Sequence, residues 1–167
     1  MATPTTLPAT AVAGEVLTAS YVNNLRGAFR VLQVVSANNN AQANNSTSTY
    51  ADTGTTATIT PSATSSKILV LVSQAGVAKG GANAATGCDI ILLRGATTLS
   101  QFAYAAGYTN STADNYIGSQ TSMYLDSPAT TSATTYKTQF KNQNNTAGVT
   151  VQVGNSVSNI VLLEISA

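Results

Sequence analysis

The pattern of apolar and polar positions after residue 29 is that of a β protein. Short runs rich in Val, Ile, Leu, Thr and Tyr alternate with turn residues such as Gly, Pro, Asn and Ser, a spacing typical of consecutive strands. The clearest run alternates strictly, with Tyr136, Thr138 and Phe140 on one side. The pattern predicts about nine strands, at residues 30–36, 55–60, 67–73, 89–94, 97–104, 119–126, 134–141, 149–153 and 159–165. We therefore predict an all-β fold, a β-sandwich, and within that class a jelly roll.

Two of these runs are apolar at nearly every position. Residues 67–73 (KILVLVS) and 89–94 (DIILLR) lack polar alternation, as is typical of strands covered on both faces. One covering layer would be the partner sheet, and the other the N-terminal segment or a neighbouring subunit. The polar stretch 37–49, the Gly- and Ala-rich stretch 75–87 and the stretch 105–118 are predicted to be long exposed loops.

The first 28 residues differ from the rest of the chain. Prolines at positions 4 and 8 oppose helix and sheet, which predicts an extended arm over residues 1–14. Thr18 can cap a short helix that ends near Gly27, and its apolar positions at helical spacing are Tyr21, Val22 and Leu25. We therefore predict that the chain has two parts: an arm with a short helix at residues 1–28, and a sandwich domain at residues 29–167.

Charge is scarce in this chain. Only 8% of the residues are charged and the formal net charge is +1, whereas a typical soluble protein has about 25% charged residues. Nucleic-acid binding depends on clustered Lys and Arg, so a nucleic-acid partner is not expected. A nearly neutral surface does little to keep copies apart, which suits a protein that works inside an assembly.

The sequence offers little that could carry catalysis. It contains no His and a single Cys, Cys88, which we interpret as a buried apolar residue. The six carboxylates are spread along the chain without a pair suited to acid–base chemistry. Asp114 and Asn115 could contact calcium, but the acidic spacing of an EF-hand loop is absent. We therefore expect no enzyme, no cofactor and no metal site, although two carboxylates facing one cleft would revive a hydrolase hypothesis.

No membrane or secretion signal is apparent. No run approaches the ~18 apolar residues that a membrane span needs, and the N-terminus lacks the basic start and apolar run of a signal peptide. Folding in a cytoplasm, without a membrane partner, is the expectation.

The tyrosine-rich stretch allows two interpretations. Tyr104, Tyr108 and Tyr116, together with Asn110 and Asn115, could form a sugar-binding face on an exposed loop. Tyrosines near strand ends can instead cover the edge of a core or lie in a subunit interface. The pattern alone leaves both open.

Several segments resemble proteins of tailed-phage virions. Residues 14–25 (GEVLTASYVNNL) resemble the start of small virion proteins in which an arm and a short helix precede a β domain. Further segments resemble a recurrent module of phage decoration and fibre proteins: 31–36 (VLQVVS), 58–70 (TITPSATSSKILV), 92–95 (LLRG), 125–128 (LDSP) and 162–165 (LLEI). The resemblance covers nearly the whole chain from about residue 12 and names no active site.

The resemblance implies a structural virion protein that is made in the cytoplasm of a bacterial host. The first hypothesis is a homotrimeric capsid decoration (cement) protein that binds the major capsid protein or another virion protein. The expected contact residues are Val16, Leu17, Tyr21, Val22, Leu25 and Arg26. The alternative is a tail fibre or spike module that binds a host surface glycan, with Tyr104, Tyr108, Asn110 and Tyr116 as its ligand loop.

Overall fold

The structure is a computed structural model of the chain, and it describes residues 31–82, 84–144 and 147–166. These ranges contain ten strands and one turn of 3-10 helix at Val153–Asn155. The strands are β1 (Val31–Asn39), β2 (Ala43–Asn45), β3 (Ala51–Ile59), β4 (Lys67–Lys79), β5 (Cys88–Arg94), β6 (Thr97–Ala106), β7 (Asn115–Asp126), β8 (Thr134–Asn142), β9 (Val149–Val151) and β10 (Ser158–Ile165). The predicted arm and helix of residues 1–28 lie outside the described residues.

The strands form two antiparallel sheets. In the first sheet β1 pairs with β10, while β10 and β7 pair with opposite edges of β4. The short pair β9–β2 continues this sheet beside the last residues of β4. The second sheet has the order β3–β8–β5–β6. All-β architecture and the β-sandwich are confirmed.

Six of the nine connections between the described strands cross from one sheet to the other. Only the steps β1–β2, β5–β6 and β9–β10 stay within a sheet. If β1 with β2 and β9 with β10 are each counted as one interrupted strand, four strands lie in each sheet. Two Greek keys wrapped into eight strands define a jelly roll, and that part of the prediction stays a prediction within the sandwich class.

The core lies between the two sheets. Its first cluster includes Ile68, Val70 and Leu162 from the first sheet, and Leu92 and Tyr136 from the second. A second cluster, around Phe140 and Val149, fills the other end. Strand β8 alternates between buried and half-buried residues as its sequence predicts, and β5 is buried at every residue before Arg94. In β4 the inward side chains of residues 67–73 are buried and the outward ones are half-buried. The second covering layer predicted for this strand lies outside the described residues.

The loops in the structure are shorter than the sequence predicts, because strands extend into them. β1 continues to Asn39, β4 continues to Lys79, and β7 begins at Asn115. These polar segments become strands because ladder hydrogen bonds to paired neighbours outweigh weak local propensity. β4 is interrupted by a bulge at Gly76, whose left-handed φ of 59° suits glycine. Beyond this bulge β4 leaves β10 and pairs with β9.

Candidate functional site

The outer face of the first sheet carries aliphatic side chains that lie in register across four strands. Leu69 of β4 pairs with Leu163 of β10 and with Leu125 of β7, and Leu163 pairs in turn with Val34 of β1. The next row repeats the pattern, since Leu71 pairs with Val161 and Met123. We call this surface the aliphatic face; it comprises Val34, Leu69, Leu71, Met123, Leu125, Val161 and Leu163.

Much of the aliphatic face is open in the described part of the chain. Met123 is 74% exposed, Val34 59% and Leu125 58%. With strands about 4.8 Å apart and same-face residues about 6.8 Å apart, the two rows cover roughly 300 Å². An apolar patch of this size is comparable to the largest patch on a typical monomer and often marks a contact surface.

One border of the aliphatic face is polar, and the other is partly apolar. The next row on one side contains Ser73, Asn159 and Asn38. On the other side Ile165 pairs with Val31, which is 45% exposed, and with Lys67, whose Nζ donates to Ser127 Oγ at 2.7 Å. No charged side chain lies in the two rows themselves. A partner of this face should therefore present a narrow apolar surface of similar size.

The residues of the predicted ligand loop are all exposed, but they do not converge on one site. Tyr104 lies on β6 of the second sheet and is 72% exposed, and its hydroxyl accepts a hydrogen bond from Gln143 Nε2 at 2.8 Å. Tyr116 lies on β7 of the first sheet and is 66% exposed. Tyr108 and Asn110 are exposed in the connection between these strands.

A pocket of about 270 Å³ lies beside Tyr116. Its polar lining includes Gln42, Asp114 and Thr150, and Lys79 closes it from the protein side. Of the four predicted ligand-loop residues, this pocket includes Tyr116 alone. Polar side chains beside one aromatic ring could hold a sugar, so the pocket is the candidate site for the glycan alternative.

Lys79 is completely buried and holds the loop that carries Tyr108 and Asn110. Its Nζ donates to Thr109 Oγ1 at 2.9 Å, to the Ala113 carbonyl at 3.3 Å, and to the Ser111 carbonyl. A buried ammonium requires such acceptors because burial without them is costly. Sequence reasoning missed this residue, since a lone Lys after an apolar run ordinarily indicates a strand end in solvent.

The other buried charges are also held by internal partners. Arg94 Nη1 contacts both carboxylate oxygens of Asp126, at 2.8 and 2.9 Å, and the Tyr136 hydroxyl donates to the same carboxylate at 2.7 Å. Burial, followed by this hydrogen bond, raises the pKa of Tyr136 far above its ordinary value. Asp126 belongs to the first sheet and its two partners to the second, so the cluster ties the sheets together.

Nothing in residues 31–82, 84–144 and 147–166 resembles a metal site or a reactive thiol. No group of three metal-ligating side chains comes together within these ranges. Cys88 is buried, and burial, reinforced by the charge of Asp89, raises the pKa of its thiol. A thiol held protonated is a poor nucleophile. The described part also has no helix that is long and apolar enough to cross a membrane.

Comparisons with known proteins leave the family open. No family model matches the chain, and no curated protein matches it. Among solved structures, the chain is similar to one described as the crystal structure of infectious bursal disease virus VP2 subviral particle. The identity is 12% and the TM-score 0.25, and the match covers 81% of this chain but only 42% of the other.

Proposed function

We propose that this chain is a structural protein of a tailed-phage virion. Its role is that of a trimeric capsid decoration (cement) protein, without enzymatic activity, that binds the major capsid protein of the assembled head. The observation that carries this function is the neutral surface of the sandwich, whose charges are almost all held in contacts within the chain.

The charged side chains can be followed one by one. The chain has seven Lys and Arg and six Asp and Glu, of which Glu15, Arg26 and Arg30 precede β1. Three ion pairs hold six of the others: Arg94–Asp126 at 2.8 Å, Lys137–Asp52 at 2.8 Å and Lys141–Asp89 at 3.6 Å. Lys79 and Glu164 are buried. The remaining two are Lys67, which donates to Ser127 Oγ, and Asp114, which accepts from the backbone N of Gly81. The electrostatic field outside the protein is therefore weak and does little to attract a charged partner. Contacts with neighbouring proteins must then use apolar and neutral polar groups, as in closely packed subunits.

The N-terminal segment supplies the anchor to the capsid. The two sheets and the two core clusters that the structure describes are built from residue 31 onwards, and residues 1–28 are our candidate for the anchor. Residues 14–25 are also the part that resembles the start of small virion proteins. A protein that binds the assembled shell and not its free subunits stabilises the shell by mass action.

Truncation tests the anchor directly. A chain that begins at residue 29 should retain its β-type circular dichroism spectrum but should no longer co-sediment with undecorated phage heads. The full chain with Tyr108→Ala, a change on an exposed loop outside the anchor, serves as the control and should still bind. Heads that are decorated equally well by the truncated chain would exclude residues 1–28 as the anchor.

The trimer has its own test. Near-zero net charge, with most charged side chains paired or buried, allows three copies to approach with little repulsion. Sedimentation equilibrium of the full chain at micromolar concentration should give the mass of three copies. A monomer at that concentration would contradict the homotrimer while leaving head binding to be judged separately.

A glycan-binding fibre or spike tip is the second candidate function. The exposed tyrosines and the polar pocket beside Tyr116 favour it, since aromatic and neutral polar groups suit sugars. Binding to a host surface polysaccharide should be lost with Tyr108→Ala or Tyr116→Ala and kept with Val157→Ala, which alters an exposed residue elsewhere. A glycan array without signal at high protein concentration would count against this function.

A further inference from the structure

We propose that the core of the sandwich contains a binding site for a buried water molecule, held by the side-chain amide of Gln152. The site belongs to a layer of polar side chains between the two sheets. We call this layer the polar belt; it comprises Thr53, Thr55, Gln74, Thr138, Gln152 and Ser158. Each of these residues is at most 1% exposed, so its polar groups must find partners inside the protein.

The polar belt crosses the core at the level where its two apolar clusters meet. On β4, Gln74 lies between Val72 of the first cluster and Val77 of the second. On β8, Thr138 lies in the same way between one residue of each cluster. Both strands therefore place a polar side chain where an apolar one would have joined the two clusters.

Hydrogen bonds join the polar belt into a ring. The hydroxyl oxygens of Thr53 and Thr138 are 2.6 Å apart, and Thr138 Oγ1 donates to Gln74 Oε1 at 2.9 Å. Gln74 Nε2 and Gln152 Nε2 both donate to Ser158 Oγ, at 2.9 and 3.1 Å. Gln152 Nε2 also donates to the carbonyl oxygen of Thr53 at 3.3 Å, which closes the ring.

One atom of this ring has no partner within the described residues. Gln152 Oε1 is buried and accepts no hydrogen bond there, whereas both amide atoms of Gln74 are bonded. Exchanging the two amide atoms of Gln152 would only move the problem, because Nε2 would then occupy the position without a partner. Buried polar atoms of this kind are satisfied in proteins by internal water.

Neighbouring hydroxyl groups can complete the site. A buried water molecule makes about three hydrogen bonds, and Gln152 Oε1 supplies one acceptor. The oxygens of Thr55 and Ser158 accept from Gln152 Nε2, at 3.3 and 3.1 Å. A hydroxyl that accepts a hydrogen bond can still donate its own proton, so we expect these two groups to donate to the same water molecule.

An irregularity of the second sheet gives water a route to the polar belt. Between Asp52 and Thr56, β3 has three residues where β8 has only Thr138. A cavity of about 110 Å³ lies at this bulge, and Thr55 and Thr138 of the polar belt line it. Asp52, whose side chain is 57% exposed, also lines the cavity and places its mouth at the surface. A water molecule takes up about 30 Å³ in the liquid, so the cavity is large enough to admit one.

Oxygen-17 magnetic relaxation dispersion of the full chain tests the site without reference to head binding. This measurement detects water molecules that remain inside the protein while it tumbles, and hydroxyl groups of the protein do not contribute. Gln152→Met removes the amide at nearly constant side-chain length and should lower the dispersion amplitude by that of about one water molecule. Gln101→Met makes the same change at an exposed position of β6 and should leave the amplitude unchanged.

The result that overturns the proposal is equally defined. A Gln152→Met variant that is folded by circular dichroism and has the amplitude of the unmodified chain would show that Gln152 holds no long-lived water. If the variant does not fold, a high-resolution crystal structure of the unmodified chain decides. A water molecule within hydrogen-bond distance of the Gln152 amide would support the site, and an amide that contacts protein atoms alone would refute it.

Discussion

The carboxylate of Glu164 provides the sharpest test of the internal polar contacts. Glu164 lies on β10 and is fully buried. Its carboxylate accepts hydrogen bonds from Gln33 Nε2 at 2.6 Å, and from the backbone N and the Oγ of Ser62 at 2.7 and 2.6 Å. These contacts join β10 to β1 and to the connection between β3 and β4. Burial alone would raise the pKa of Glu164, but the hydrogen bonds outweigh burial and lower it to about 2.

The lowered pKa has a consequence for stability. A carboxyl with a pKa of about 2 in the folded protein and 4.5 in the unfolded chain stabilises the fold by about 3 kcal/mol at neutral pH. Because the folded-state pKa is the lower one, this stabilisation is fully present above pH 4.5. It is lost progressively as the pH falls from 4.5 towards 2.

The variant Glu164→Gln removes the charge while keeping the size of the side chain. At pH 7, urea unfolding should show a free energy of unfolding about 2–3 kcal/mol below that of the unmodified chain. At pH 3 the difference between the two chains should fall to about 1 kcal/mol, because the unmodified chain loses most of this stabilisation, whereas the variant has no carboxyl at this position to titrate.

Asp52→Asn is the matched control for this experiment. The Asp52 side chain is 57% exposed and pairs with Lys137 at the surface, so its removal should change stability by less than about 1 kcal/mol. If Glu164→Gln and the unmodified chain showed the same free energy of unfolding at pH 7 and the same acid dependence, the contacts of Glu164 would not have the strength inferred here.

Three other changes probe separate parts of the fold. Tyr136→Phe removes the hydroxyl that donates to Asp126 and should lower the free energy of unfolding by about 1.5–3 kcal/mol in urea; no change would show that Arg94 alone satisfies this carboxylate. Lys79→Met should speed amide hydrogen exchange in residues 109–113, since their oxygen atoms lose the Nζ donor; unchanged exchange would mean that the loop is held by other contacts. Gly76→Ala should destabilise by more than about 1 kcal/mol in thermal unfolding, because the added Cβ would collide with the backbone of Val153; an unchanged Tm would contradict the role of the bulge.

Much of the fold could be predicted from sequence because the signal is local. Tyr136, Thr138 and Phe140 alternate with polar residues, and this period of two alone identifies β8 and its buried side. The ends of the strands were less predictable. Whether Asn39 or Asn115 belongs to a strand depends on the neighbour that it pairs with, and that neighbour is far away in the sequence.

The candidate sites depended on information that the sequence does not display. The aliphatic face exists because Leu69 lies between Leu163 and Leu125, and this register is set by pairing across distant parts of the chain. The buried positions of Lys79 and Glu164 run against the usual exposure of charged residues. The partners of Lys79 come from a loop, and those of Glu164 come from β1 and from the connection between β3 and β4. No spacing along the chain links Glu164 to Ser62.

Binding of the purified full chain to undecorated phage heads tests the central claim most directly. Co-sedimentation would measure whether binding saturates, and cryo-electron microscopy of the decorated heads would show where the protein lies. A structural decoration role predicts saturable binding, with density for the sandwich in groups of three at fixed positions of the capsid lattice. A folded, trimeric protein that leaves the heads bare would contradict that role and turn attention to the tail apparatus and the pocket beside Tyr116.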